Sequence, residues 1–135
     1  MKDRRAVRIP LVLLLLACLA LAACARTEEA ASEAGLFKAR LVMKGRPVKG
    51  ANRAEVFITD AGGNPVAGAE IGIETEMAEM EHYVPFAPEV REKGGGLYEI
   101  TFHFTMAGRW RLRLHIASDG QGDAVTFDFP DVKKA

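Results

Sequence analysis

Tyr98 to Ile116 reads YEITFHFTMAGRWRLRLHI. Tyr98, Ile100, Phe102 and Phe104 alternate with Glu99, Thr101 and His103, and then Trp110, Leu112, Leu114 and Ile116 alternate with Arg111, Arg113 and His115. Successive side chains on a strand point to opposite faces, so an apolar/polar period of two marks a strand with one face in a core. Between the two runs, Met106 to Arg109 reads as a short hairpin connection.

The same period extends in both directions. Downstream, a glycine-rich turn from Ser118 to Gly122 precedes Val125, Phe127 and Phe129, which alternate with Thr126 and Asp128. Upstream, strands are predicted over Leu36–Met43, over Arg53–Thr59 with Ala54, Val56 and Ile58 on one face, and over Ala69–Glu76 with Ile71 and Ile73 on one face. The breaks hold Gly45, Pro47 and Gly50, and then Asp60, Ala61, Gly62, Gly63, Asn64 and Pro65, residue types that tight turns favour. Short strands with turns every 8 to 12 residues predict an all-β fold. The expected architecture is an immunoglobulin-like two-sheet β-sandwich of about seven antiparallel strands, with Trp110 and the phenylalanines filling its core.

The N-terminus is of another kind. Lys2, Arg4, Arg5 and Arg8 lead into an apolar stretch from Ile9 to Leu21, which closes on Leu21, Ala22, Ala23 and Cys24. This h-region is short for a membrane span and ends in small residues, the pattern of a cleaved leader. It resembles a bacterial lipoprotein signal, which implies removal of residues 1–23 and a lipid on Cys24. Residues 24–35, alanine and acid with no aromatic or β-branched apolar residue, are expected to be a lipid-anchored flexible tether. Residues 36–135 would form the folded domain, anchored to a membrane of the cell envelope and facing the periplasm or the cell exterior.

Removing residues 1–23 takes the charged residues from 18 basic and 18 acidic to 14 and 17. Nothing in the sequence suggests nucleic acid as a partner, which asks for a clustered basic face. The other cysteine, Cys18, falls in the leader, so the mature domain has no disulfide and folds on its core alone. It also lacks the equipment of an enzyme: its serines are Ser32 and Ser118, and no nucleophile–base or phosphate-loop pattern stands out.

Met77 to Pro88 interrupts the alternation with Met77, Met80, His82, Tyr83, Pro85 and Phe86, and with Glu79 and Glu81 between. Thioether sulfur is soft, cannot be protonated and survives outside the cell, where paired thiols oxidise. Met77, Met80 and His82 are therefore candidate copper ligands, suited to Cu(I), with affinity weakening in mild acid because His82 binds as the neutral imidazole. Glu79 and Glu81 could instead favour Cu(II) or Zn²⁺. Met43 and Met106, each ending a strand, are candidate accessory ligands. The alternative is that the methionines are adaptable apolar filler at the open end of the sandwich and His82 is solvated. His103 and His115 are expected on the polar faces of adjacent strands, offset and solvent-exposed.

Asn52, Glu55 to Ile58, the turn Asp60 to Val66 with Gly68 and Ala69, the Met77, Met80 and His82 loop, Gly96, Tyr98, and the closing Met106, Gly108 and Trp110 resemble the YtkA-like domain, related to FixH-type proteins. The similarity covers most of residues 36 to 129. It implies a small exported or membrane-anchored β-sandwich, associated in several relatives with copper handling or copper-oxidase assembly. Ala78 and Glu81 stand where relatives tend to place proline and glycine. The expectation is a binding domain that delivers copper to a copper-receiving or envelope protein. A second expectation, different in class, is a metal-free module that docks such a partner through Tyr83, Val84 and Phe86 or a sheet edge.

Overall fold

The computed structural model describes residues 26–77 and 87–135, and these form two antiparallel sheets. The strands are β1 Thr27–Ala31, β2 Phe37–Met43, β3 Gly50–Asp60, β4 Glu70–Met77, β5 Glu89–Gly94, β6 Leu97–Phe104, β7 Gly108–Ser118 and β8 Gln121–Val132. One sheet has the order β1-β2-β3-β6-β5 and the other β4-β7-β8. Among the described residues no helix is long and apolar enough to cross a membrane.

The alternation seen in the sequence is the alternation of burial. Leu41, Ala54, Val56, Ile58, Ile100, Phe102, Leu112, Leu114, Val125 and Phe127 face the space between the sheets and are at most 1% exposed. Phe102, Phe104, Trp110 and Phe129 form an aromatic cluster at one end of this core, with Phe104 and Trp110 ring centroids 5.1 Å apart and Phe104 and Phe129 at 5.3 Å. Such pairs contribute beyond the area they bury.

Two strands lie outside the expected set. β5 is exposed along its whole length and charged at Glu89, Arg91, Glu92 and Lys93, the composition that protects an edge from further pairing. β1 falls in the segment expected to be a tether. Thr27–Ala31 instead pair residue for residue with Lys38–Val42 of β2, and Ala30 packs on the core. Its small side chains cannot announce burial, and backbone bonds hold it in place. The Ser32 amide donates to the Phe37 carbonyl at 2.8 Å, and Ser32 Oγ accepts the Phe37 amide at 2.8 Å.

Asp123 ties this segment to the other sheet. Its carboxylate accepts the amides of Ala34 at 3.0 Å, Leu36 at 3.3 Å and Ala124 at 2.8 Å. The Ser32 hydroxyl and then these amides hold its pKa below the ordinary carboxylate value. Asp60, which accepts the Gly62 and Asn64 amides at 2.9 Å, is lowered in the same way, chiefly by Asn64. A carboxyl whose folded pKa is depressed stabilises the fold above its unfolded pKa, and that stabilisation is lost as pH falls through the folded value. Asp123→Asn is therefore expected to lower the urea midpoint near neutral pH and to shrink the further loss on acidification below about pH 4. Equal midpoints for variant and wild type near neutrality would contradict this role.

The connection from β6 to β7 is not a hairpin, because the two strands lie in different sheets. Residues 105–107 cross from one sheet to the other, and the Trp110 indole Nε1 donates to the Met106 carbonyl at 2.9 Å across that corner. The β3 to β4 crossing is held by fully buried Tyr98, whose hydroxyl donates to the Val66 carbonyl at 2.8 Å and accepts the Ala69 amide at 2.9 Å. Burial raises the Tyr98 pKa, so the hydroxyl stays protonated and able to donate.

Candidate metal site

β2, β4 and β6 all finish at the same end of the sandwich. The register shows this: Met43 ends β2 opposite Ala54, Met77 ends β4 opposite Trp110, and Phe104 ends β6 opposite Gly50, where β3 begins. Met43, Met77 and Met106 are thereby collected at one end, although 63 residues separate the first from the last. The 78–86 connection leaves β4 after Met77 and returns to β5, whose Glu89 lies opposite Thr101 near the finish of β6. Both of its attachment points are thus at this end. Met80 and His82, like Tyr83, Val84, Phe86 and Cys24, lie outside the described residues.

The three described methionines differ in access. Met77 is half-buried against the core, and its Cε lies 2.7 Å from where a Cβ on Gly108 would be. Gly108, with φ +138°, therefore leaves room for the Met77 thioether to lie across the start of β7. Met106 is 41% exposed, and only its carbonyl is engaged by Trp110 among the bonds described. Met43 is 2% exposed and belongs to the core. Met43 is therefore packing, whereas Met77 is partly and Met106 substantially exposed at this end.

Among the described residues no three His, Cys, Asp or Glu side chains are grouped so as to hold a metal. His103 and His115 are not on adjacent strands. His103 alternates with buried Phe102 and Phe104 on the outer face of the larger sheet, opposite Ala51. His115 lies on the outer face of the smaller sheet, with Nε2 3.1 Å from Glu74 Oε2. The sequence assigned both to polar faces, which is their position, but placed their strands side by side, which is not.

A feature the sequence did not suggest is an open groove of about 530 Å³ on the outer face of the smaller sheet, lined by Glu33, Glu70, Arg113, His115 and Asp123. Arg113 spans it to Glu33 at 2.9 Å. Gly72 opens it by placing no side chain opposite His115. Glu33 reaches it only because β1 and its turn are folded onto β8, so a reading that treats residues 24–35 as a tether could not assemble it.

Residues 32–115 match the family model described as YtkA-like. The chain belongs to the YtkA-like family. The matched span of the YtkA-like domain runs from the β1–β2 turn to the outer residues of β7, and it contains Met43, Met77, Met80, His82 and Met106. β1 and β8, which lie outside it, complete the YtkA-like sandwich: Arg26 donates to the Asp128 carbonyl and places its guanidinium 4.5 Å from the Phe129 ring centre. No curated protein and no solved structure matches this chain.

Proposed function

We propose that this YtkA-like protein is a lipid-anchored extracytoplasmic binding domain that holds or passes on copper through Met77, Met80 and His82. The observation that carries the reading is the convergence of strand ends. It brings the Met77 thioether, exposed Met106 and both attachment points of the 78–86 connection to one end of the sandwich. Exposed Met106 and half-buried Met77, with Met80 and His82 following Met77 in the chain, supply thioethers and an imidazole, a donor set that fits the preference of Cu(I). Met106 would be the accessory ligand; Met43, within the core, would support the site by packing. Copper there would be cargo, held for a copper-receiving envelope protein, and the chain's own work would be binding and release, with no catalysis.

Residues 25–135 contain both sheets and the whole described core, so they are the material for the test. Cu(I) is titrated against a competing chelator for the wild type and for a Met77→Ala, Met80→Ala, His82→Ala variant. One-to-one binding that is lost in the variant is the expected result. No binding by the folded wild type, or equal binding by both proteins, sinks the copper assignment. Met106→Ala, at an exposed position, is expected to leave the fold intact and weaken binding by less than the triple change does.

A metal-free docking module remains the reading favoured by a different observation. Among the described residues, the flank between edge strands β4 and β5 leaves apolar side chains incompletely covered: Ile71 and Ile73 are only half-buried there, and Val90 is 40% exposed although its partner Ile100 is fully buried. Because β5 is charged along its edge, β4, whose outer edge has no strand partner among the described residues, is the edge that suits addition of a partner strand.

A further inference from the structure

We propose that the end of the sandwich formed by Arg26, the 44–49 connection and Lys133–Lys134 rests directly on the anionic headgroups of the membrane surface. This rests on the reading of Cys24 as the lipid-bearing residue.

The pairing of β1 with β2 from Thr27 onward is the first support. β1 begins at Thr27, and the Arg26 carbonyl already accepts the Met43 amide at 2.9 Å. Cys24 is two residues before Arg26, a distance of at most about 7 Å of chain. A domain attached so closely cannot tumble freely above the bilayer. The fold then selects the surface that meets the lipid, and it selects the end at which β1 starts and β2 finishes.

That end is basic. The β2–β3 connection carries Lys44, Arg46 and Lys49, with Arg53 following on β3, and all four are exposed. The chain terminus joins them, because the Lys49 amide donates to the Lys133 carbonyl at 2.8 Å and Val48 bridges Lys133 in parallel. Buried Asn52 fixes the shape of the connection, accepting the Val48 amide at 3.0 Å and donating to the Val48 and Gly50 carbonyls at 2.8 and 3.0 Å. Lys44 is engaged by Glu55 at 2.9 Å and Glu99 at 3.1 Å, and Lys133 by Asp131. Arg46, Lys49, Arg53 and Lys134 have no ion pair with another described residue. Lys44, Arg46 and Arg53 also line an open groove of about 440 Å³, together with Met43, Val48 and Ala51.

The opposite end has the other sign. Its turns at 32–36, 60–66 and 118–121 carry Glu33, Asp60 and Asp119, with Asp123 at the start of β8. Charge along the long axis of the sandwich therefore orients the domain as the attachment does. Each Lys or Arg near an anionic surface strengthens association about fivefold, so these four cations, which have no ion pair among the described residues, convert a loose attachment into a fixed orientation.

The test uses the mature chain, residues 24–135, joined through the Cys24 thiol to maleimide-bearing lipid, because Cys18 falls in the leader and leaves one thiol. Vesicles rich in phosphatidylglycerol are compared with vesicles of phosphatidylcholine, and amide hydrogen exchange is followed at residues 44–49 and at residues 60–66. The expected result at low salt is exchange at 44–49 at least about fivefold slower on the anionic vesicles, no change at 60–66, and loss of the difference at high salt. A variant carrying Arg46→Gln, Lys49→Gln, Arg53→Gln and Lys134→Gln, with core exchange unchanged, should show no difference between the two lipids. Equal exchange on both vesicles, or an undiminished difference in the variant, overturns the docking. The mass of Cys24 peptides from full-length chain extracted from membranes decides the anchor separately. A lipidated Cys24 with indifferent vesicles overturns the docking alone, whereas an unmodified Cys24 overturns the anchor and with it this choice of surface.

Discussion

Replacing Trp110 by alanine is expected to remove about 3–5 kcal/mol of stability, the range for deleting a large buried aromatic. Trp110 is 1% exposed, and its ring stacks obliquely on Phe104 beneath the strand pairs Met77 and Phe129. The indole also donates to the Met106 carbonyl at the crossing between sheets, and losing that donor adds about 1 kcal/mol. A domain of this size has a total stability of about 5–15 kcal/mol, so the variant loses a large fraction of it. Urea unfolding followed by far-UV circular dichroism reads the change. Trp110→Phe, which retains an aromatic ring and removes the donor, should lose much less. A loss below about 1 kcal/mol for the alanine variant would mean that the aromatic cluster does not hold the two sheets together.

The second large effect is expected at Gly96. Its φ is +82°, a region that costs an L residue about 1–2 kcal/mol. There is also no room. A Cβ would lie 2.9 Å from the Ile58 carbonyl oxygen, 3.1 Å from Pro65 Cβ and 3.2 Å from the Val66 amide nitrogen. The Ile58 carbonyl is already accepting the Val66 amide at 2.9 Å, and the Ile58 amide donates to the Gly96 carbonyl at 2.9 Å. Backbone, not a flexible side chain, would have to move. Gly96→Ala should therefore cost about 2–3 kcal/mol or more. Gly95→Ala is the control: φ is +63° there but nothing lies within 4 Å of the added carbon. Equal unfolding midpoints for the two variants would show that conformation alone sets the cost and that the turn at 60–66 does not press on Gly96.

Six of the eight strands were legible because each carries apolar side chains large enough to mark one face. β1 and β5 were not. In β1 the inward residue is Ala30, which is as compatible with a solvated segment as with a core, and β5 is an edge strand with every residue exposed. Residues 24–35 read as a tether on composition, yet Thr27–Ala31 pair with β2, and the turn that follows is bound by Asp123, a residue 87 positions away from Leu36. Residues 105–107 failed as a hairpin for a different reason. Alternation tells which face of a strand is buried and says nothing about which sheet the strand joins. A short connection serves a hairpin and a sheet-to-sheet corner equally well.

The candidate site divides along the same line. The residue types of the proposed site are local: two thioethers and an imidazole lie within six residues, Met77 to His82, and can be read from the sequence alone. Its surroundings are not. That Met106 is exposed at the end where β4 finishes, that Met43 is core and that Gly108 makes room for Met77 all depend on strands distant in sequence ending at one place.

The amino-acid sequence by itself determined the strand faces, the identity of the core and the family, because side-chain alternation and residue type are properties of neighbouring positions. The tertiary structure alone decided which strands share a sheet, that Thr27–Ala31 pair with β2, and that the methionine and basic ends of the molecule are one end. Those features rest on backbone hydrogen bonds and single carboxylate contacts between residues tens of positions apart. Such bonds are available to nearly every residue type, so no local pattern records where they form.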